Sequence, residues 1–286
     1  MSHPKIASAP EPWFLLPLFH LGRPAKASAP YGHAQSVLSF RRITSECGQH
    51  YIDSRVRDFA LDVYACYCKN NEMFFLDKTP RYYHILDDLA RCFTNAKFIV
   101  LLRNPISVFA SSLQAFRHGT VRRLDHLRSD FTTGPQNLGD FAQRNAHNVF
   151  TLTYENLISE PVRHIREVVD YIGLEYDPEM IHRSFDIRLD GHGDHIGARK
   201  YKNVTDTTEK WRAVITTPMR KARLLKFLKE YPEAYLRAGK YDRNHLIGTI
   251  SSLKTKCIQP IEYVYSIEET TISLCKKLHS LYSPCS

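Results

Sequence analysis

The sequence lacks the marks of several large protein classes. None of its apolar runs approaches the ~18 to 20 residues of a membrane-spanning helix, so no membrane span is expected. The stretch Trp13 to Phe19 is short, proline-broken and preceded by an acid, which does not read as a secretion signal. Cysteines number seven, an odd count, and no C-x-x-C unit occurs, so neither a disulfide framework nor a zinc framework is indicated. Cys66 and Cys68 fall in a helical pattern that points their thiols to different faces. Reduced, mostly buried thiols in a cytoplasmic protein are expected. The phosphate-loop pattern G-x-x-x-x-G-K-[ST] is absent, which sets aside a P-loop kinase. Glycine is scarce, and before residue 32 only Gly22 occurs. There is no internal repeat and no low-complexity tract.

What is present is a basic, core-forming chain. Its 286 residues suit one large domain or one and a half, and 43% apolar content suits a globular core. The formal net charge of +9 favours an anionic partner. A nucleic-acid binder would interleave basic and aromatic residues on one element. Arg117, Arg122, Arg123 and Arg128 have only Phe116 beside them, so no nucleic-acid partner is expected.

Residues 1–31 are proline-rich and irregular. Helical spacing follows from about Gly32 to Lys69, interrupted near Gly48, with Val56, Phe59, Ala60, Val63, Tyr64 and Tyr67 in phase. A short strand is expected at 73–77 and a helix at 80–93. Phe98 to Leu102 is a continuous apolar run, the pattern of a strand covered on both faces. Residues 117–139 read as a surface excursion or lid, with Thr133-Gly134-Pro135 as a turn, and Asp140 to His147 as a helix. A third strand is expected at 149–154, and an amphipathic helix from Pro161 to Ile172 stopped by Gly173. A loop is expected at 188–210, and a helix from Pro218 to Tyr231 with Ala222, Leu225 and Leu228 in phase. Strands alternating with helices predict a doubly wound α/β fold with a parallel sheet.

The stretch Phe74 to Leu113 organises the rest. Each of its two strands ends on a cation, Lys78 or Arg103, followed by a polar residue and a proline: Thr79-Pro80 and Asn104-Pro105. A polar cap with proline at the first helical position starts a helix. Two helix N-termini with adjacent cations at one sheet edge read as a two-part anion site. Ser107 and Ser111 lie four apart on one helix face, so Arg103, Ser111 and the helix dipole together suit one phosphate. Gly191-His192-Gly193-Asp194-His195 reads as a polar loop rather than a metal site, having no i,i+4 frame or further ligands.

The segment L-L-R-N-P-I-S-V-F-A-S resembles the 3′-phosphate-binding segment of the P-loop-fold sulfotransferases. Upstream, L-D-K-T-P-R-Y-Y resembles that family's K-T-P turn. Downstream, T-Y-E-N-L-I-S-E-P with Y-I-G-L-E-Y-D resembles its Y-E-D-L segment, and Ser2-His3-Pro4-Lys5-Ile6 resembles the S-H-P-x-I stretch near its catalytic glutamate. The resemblance spans roughly residues 3–245. It implies a P-loop NTPase-like parallel sheet flanked by helices. It also implies transfer of a sulfuryl group from 3′-phosphoadenosine 5′-phosphosulfate (PAPS) to a hydroxyl or amine acceptor, with no metal. By the same resemblance Arg103 and Ser111 grip the 3′-phosphate, Lys78 faces the sulfuryl group, Tyr154 lies against the adenine, and Glu11 is the base. A basic residue before Trp211 closes over the 3′-phosphate; Arg199, Lys200 and Lys202 are the candidates and Lys202 is chosen. An alcohol acceptor needs a base, and Glu11, stiffly held between two prolines, suits that role.

The family's first strand and its R-S-G-T-T loop have no counterpart in the chain. The expectation is therefore an N-terminally truncated sulfotransferase, with residues 1–245 an incomplete sulfotransferase-like domain and 246–286 a C-terminal helical tail. The alternative is an impaired fragment or pseudoenzyme that binds only the adenosine 3′,5′-bisphosphate end.

Overall fold

The computed structural model describes residues 2–21, 23, 31–115, 128–183 and 206–256. In chain order they form β1 (Ile6–Ser8), α1 (Leu15–His20), α2 (His33–Thr44), α3 (Gly48–Ala65), β2 (Phe74–Leu76), a 3-10 turn (Pro80–His84), α4 (Leu86–Cys92), β3 (Phe98–Leu102) and α5 (Pro105–Ala115). There follow α6 (Arg128–Phe131), α7 (Thr133–Arg144), β4 (Val149–Thr153), α8 (Tyr154–Ser159), α9 (Pro161–Ile172) and α10 (Met180–Arg183). A second 3-10 turn (Lys210–Ala213), α11 (Pro218–Glu230), α12 (Glu233–Gly239) and α13 (Arg243–Ser251) complete the described chain. The fold is mixed α/β, as expected, and mostly helical with short strands. Among the described residues the strands form two pairs: β1 runs parallel to β2, with Ile6, Ala7 and Ser8 opposite Phe74, Phe75 and Leu76, and β3 pairs with β4.

Two compact units can be distinguished. The first comprises Met1–Val100, Arg144–Phe150 and Asn156–Thr205. Its core gathers Leu15 and Phe19 of α1, Val56 and Ala60 of α3, and Tyr82, Ile85, Leu89 and Cys92 around α4. At its edge Asp53 and Asp88 are buried, and Arg91 bonds both carboxylates while Arg23 bonds Asp88. Burial would raise the Asp53 carboxyl, but the hydrogen bonds and charge of Arg91, with the bond from Gln49, hold it below the usual range. Pro161 starts α9, and Gly173 ends it at φ 81°, a left-handed position that favours glycine.

The second unit comprises Leu101–Gln143, Thr151–Glu155 and Asp206–Ser286. Ile106, Phe109, Ala110 and Leu113 bury one face of α5, and Leu224, Leu228, Leu236, Leu246 and Ile250 are buried on α11, α12 and α13. The expected boundary between residues 245 and 246 falls inside α13.

Several local expectations are corrected. The helix expected from Asp140 begins earlier, at Thr133, so residues 133–139 are helical rather than part of an irregular excursion; Phe141 and Ala142 bury one face, and Gly134 and Pro135 are buried in its first turn. Gly139 lets it pack closely, since a Cβ there would stand 2.3 Å from Tyr235 N. Strand β3 is not covered on both faces: Val100 and Leu102 are buried, but Ile99 is 39% and Leu101 51% exposed. On α3, Val56 and Ala60 face the core while Phe59 is exposed; on α11, Leu224 rather than Ala222 takes the core position with Leu228. Among the described residues the thiols are not mostly buried. All four described cysteines are free, Cys47 and Cys66 lie exposed at the two ends of α3, and only Cys92 is buried. Burial, with the Asp53 charge, pushes the Cys92 thiol up to about 12.

Candidate active site

Two of the residues singled out from sequence meet in the first unit. Because β1 and β2 are parallel and in register, the loops that follow them leave the same edge. The Lys78 ammonium donates to Glu11 Oε1 although the two residues are 67 apart in sequence. The Glu11 side chain is only 11% exposed, whereas that of Lys78 is 64% exposed. The other carboxylate oxygen, Oε2, accepts from Trp13 Nε1–H at 3.2 Å. Glu11 and Trp13 both have positive φ, 24° and 60°, which side-chain-bearing residues seldom adopt. The S-H-P stretch, just before β1, is itself pinned by side-chain bonds. His3 Nδ1 accepts from Lys5 N–H at 3.1 Å, which leaves Nε2 to donate to the Glu175 carbonyl at 3.0 Å. Arg183 Nε–H donates to the Ser2 carbonyl at 3.0 Å.

The second unit holds Arg103, Ser111 and Tyr154. Asn104 caps α5: its Oδ1 accepts from Ile106 N–H at 2.9 Å, as the Asn-Pro pattern predicts. Arg103 stands at the end of β3, with its guanidinium over the Tyr154 ring, 4.5 Å from the centroid. The Tyr154 hydroxyl bonds Thr207 Oγ1 at 2.8 Å. The Arg103 backbone is bracketed by Tyr235, whose hydroxyl accepts from Arg103 N–H at 2.8 Å and donates to the Arg103 carbonyl at 3.0 Å. Glu155 joins the same cluster, accepting from Asn104 N–H at 2.9 Å and from the Tyr241 hydroxyl at 2.7 Å. Burial pushes the Tyr235 hydroxyl up to about 12. Burial, then the bond to Glu155 and its charge, pushes Tyr241 well above the usual range, so both remain neutral donors.

Arg103 Nε is buried and has no hydrogen-bond partner among the described residues, an orphaned donor that suits an anion. Ser111 is exposed on α5, whereas Ser107 is buried and its hydroxyl donates to the Thr208 carbonyl at 3.2 Å. The two serines therefore share a helix face but not an environment. Lys202, Arg199, Lys200 and the Gly191–His195 cluster lie outside the described residues. Sequence reasoning missed Trp13, Thr207, Tyr235 and Tyr241. Glu155 stood inside the quoted Y-E-N-L segment and was open to inference; the others carry no local signal.

Among the described residues, no helix is long and apolar enough to cross a membrane. The Nodulation protein NoeE of Sinorhizobium fredii (strain NBRC 101917 / NGR234) is 29% identical, with 75% of this chain and 56% of that protein aligned. The chain thus spans just over half the length of that relative. The sulfotransferase domain from the curacin biosynthetic pathway aligns with 81% of this chain and 91% of its own, at 18% identity and a TM-score of 0.46. The sulfotransferase domain from the Synechococcus PCC 7002 olefin synthase aligns with 78% and 85%, at 21% identity and a TM-score of 0.49. The sequence pattern of the sulfotransferase family matches residues 1–178, more than half of the chain, and the protein belongs to that family.

Proposed function

We propose that the protein transfers a sulfuryl group from PAPS to a hydroxyl or amine acceptor, working in the cytoplasm. The observation that carries this reading, given the family, is the contact between Glu11 and Lys78. A carboxylate withdrawn from water beside a cation is the pairing this reaction needs. The acceptor oxygen attacks sulfur, and the bond from sulfur to the bridging phosphate oxygen breaks. The acceptor proton passes to Glu11, and Lys78 stabilises the charge that grows on the departing oxygen. Adenosine 3′,5′-bisphosphate leaves.

Arg103 and Ser111 take the 3′-phosphate in this reading, and the orphaned Arg103 Nε supports the assignment. Tyr154 serves the nucleotide at the adenine and as the ring beneath the Arg103 guanidinium. Lys202 closes over the 3′-phosphate. The direct test is transfer of labelled sulfate from PAPS to a panel of alcohols, phenols, sugars and amines by the purified chain. Transfer to at least one class, dependent on Glu11 and Lys78, is expected. Binding of adenosine 3′,5′-bisphosphate without any transfer would overturn it in favour of a binding-only protein.

A further inference from the structure

The loop that carries Glu11 is backbone-strained, and its restraint comes from a polar hub beside Lys78. Positive φ at both Glu11 and Trp13, on either side of Pro12, costs free energy and persists only where neighbours over-determine it. Five bonds do so. Asp77 Oδ2 accepts from the hydroxyls of Tyr64 at 2.5 Å and Tyr82 at 2.7 Å, and Oδ1 accepts from Thr79 Oγ1–H at 2.9 Å. Thr79 Oγ1 in turn accepts from Trp13 N–H at 3.4 Å, and Trp13 Nε1–H donates to Glu11 Oε2 at 3.2 Å.

The direction of these bonds is set by chemistry. An ionised carboxylate only accepts, and a threonine hydroxyl has one proton. With that proton committed to Asp77, the Thr79 lone pairs face Trp13. Tyr64 and Tyr82 cannot reverse the order, because burial, and then the charge of Asp77, keeps both phenols protonated. Thr79 is 7% exposed, so water does not compete freely for its hydroxyl. Asp77 and Lys78 are neighbours in sequence. One engages the hub and the other engages Glu11, so a single short segment controls both partners of the Glu11–Lys78 contact.

We infer that Asp77 is a positioning residue that, through Thr79 and Trp13, holds the Glu11 carboxylate in the orientation that sulfuryl transfer requires. The inference rests on the proposed activity for its catalytic half and on geometry alone for its structural half.

The test uses the full chain with Thr79→Val, which keeps the shape and removes the hydroxyl, Thr79→Ser, which restores it, and Asp77→Asn as an independent break in the hub. The indole Nε1–H resonance of Trp13, assigned by Trp211→Phe, reports the bond to Glu11 and is expected to move in Glu11→Gln. The same resonance is expected to move in Thr79→Val and Asp77→Asn, and to return to its original position in Thr79→Ser. In the transfer assay, Thr79→Val is expected to lower kcat about tenfold with little change in KM for PAPS, as displacement of a reacting group does. A Trp13 resonance that moves in Glu11→Gln but stays in place in both hub variants overturns the inference, whatever the activity. Thr79→Val with kcat within about twofold of wild type also overturns it. A resonance that responds as expected in a chain that transfers no sulfate upholds the positioning network and overturns the proposed activity instead.

Discussion

The guanidinium of Arg103 sits over the ring of Tyr154, 51 residues away, while the hydroxyl of Tyr235 brackets the Arg103 backbone on both its N–H and its carbonyl. The side chain and the peptide thus have separate partners. An arginine held in this way presents its N–H groups without further ordering cost when an anion arrives.

Removing that arginine tests the assignment most directly. Arg103→Ala is expected to weaken adenosine 3′,5′-bisphosphate binding by about 2 to 3 kcal/mol, the worth of charge-assisted bonds. Arg103→Lys keeps the charge but neither the fork nor the stack, so it should recover only part of the loss. Tyr154→Leu should cost about 0.5 to 1 kcal/mol, as loss of one cation–π contact does. Calorimetric titration of the three variants checks the order.

Glu11→Gln keeps the shape of the side chain and removes its basicity. Transfer from PAPS is expected to fall ~100-fold or more, in the range for loss of a general base. Affinity for adenosine 3′,5′-bisphosphate should stay unchanged. Measuring both on one preparation separates chemistry from folding, and unaltered turnover would remove Glu11 from the mechanism.

Gly139→Ala places a methyl group 2.3 Å from Tyr235 N and 2.4 Å from the Ala234 carbonyl carbon. Backbone cannot yield as a flexible side-chain tip can, so a loss of about 1 to 3 kcal/mol is expected in urea unfolding. Because Tyr235 brackets Arg103, nucleotide binding should weaken in parallel.

Asp53 carries a pH-dependent part of the stability. Its folded carboxyl lies below the ordinary 3.8, so the contribution is present above that value and is lost as pH falls through the folded pKa. Asp53→Asn is therefore expected to cost about 1 to 3 kcal/mol at pH 7, discounted for the partly exposed Arg91. The gap to wild type should narrow below pH ~3.8. Urea unfolding across pH 3 to 7 measures it, and a gap that widens in acid would contradict the sign.

Much of the local architecture was legible in advance. Asn104-Pro105 starts α5 because cap and proline act within one turn, and Gly173 ends α9 for an equally local reason. Lys78, Arg103 and Glu11 could be singled out because motif spacing and helix-start chemistry are written in neighbouring residues. Burial was less legible. Phe59, Ile99 and Leu101 fit apolar patterns yet stand exposed, because exposure depends on which element lies opposite. The first half of the helix at 133–144 was hidden by Thr133-Gly134-Pro135, a pattern that reads equally as a turn; the stretch from Asp140 was expected to be helical. Packing of Phe141 and the close approach at Gly139 favour the helix.

By itself the sequence determined the cations at two strand ends and the family resemblance, since each is a property of a few adjacent residues. Tertiary structure alone decided that Glu11 meets Lys78, that Arg103 rests on Tyr154, and that Asp77, Thr79 and Trp13 form one bonded series. Those contacts join segments about 50 to 70 residues apart. Local propensity decays within a few residues, so which distant side chains meet is settled only when strands pair in register and helices bury their apolar faces.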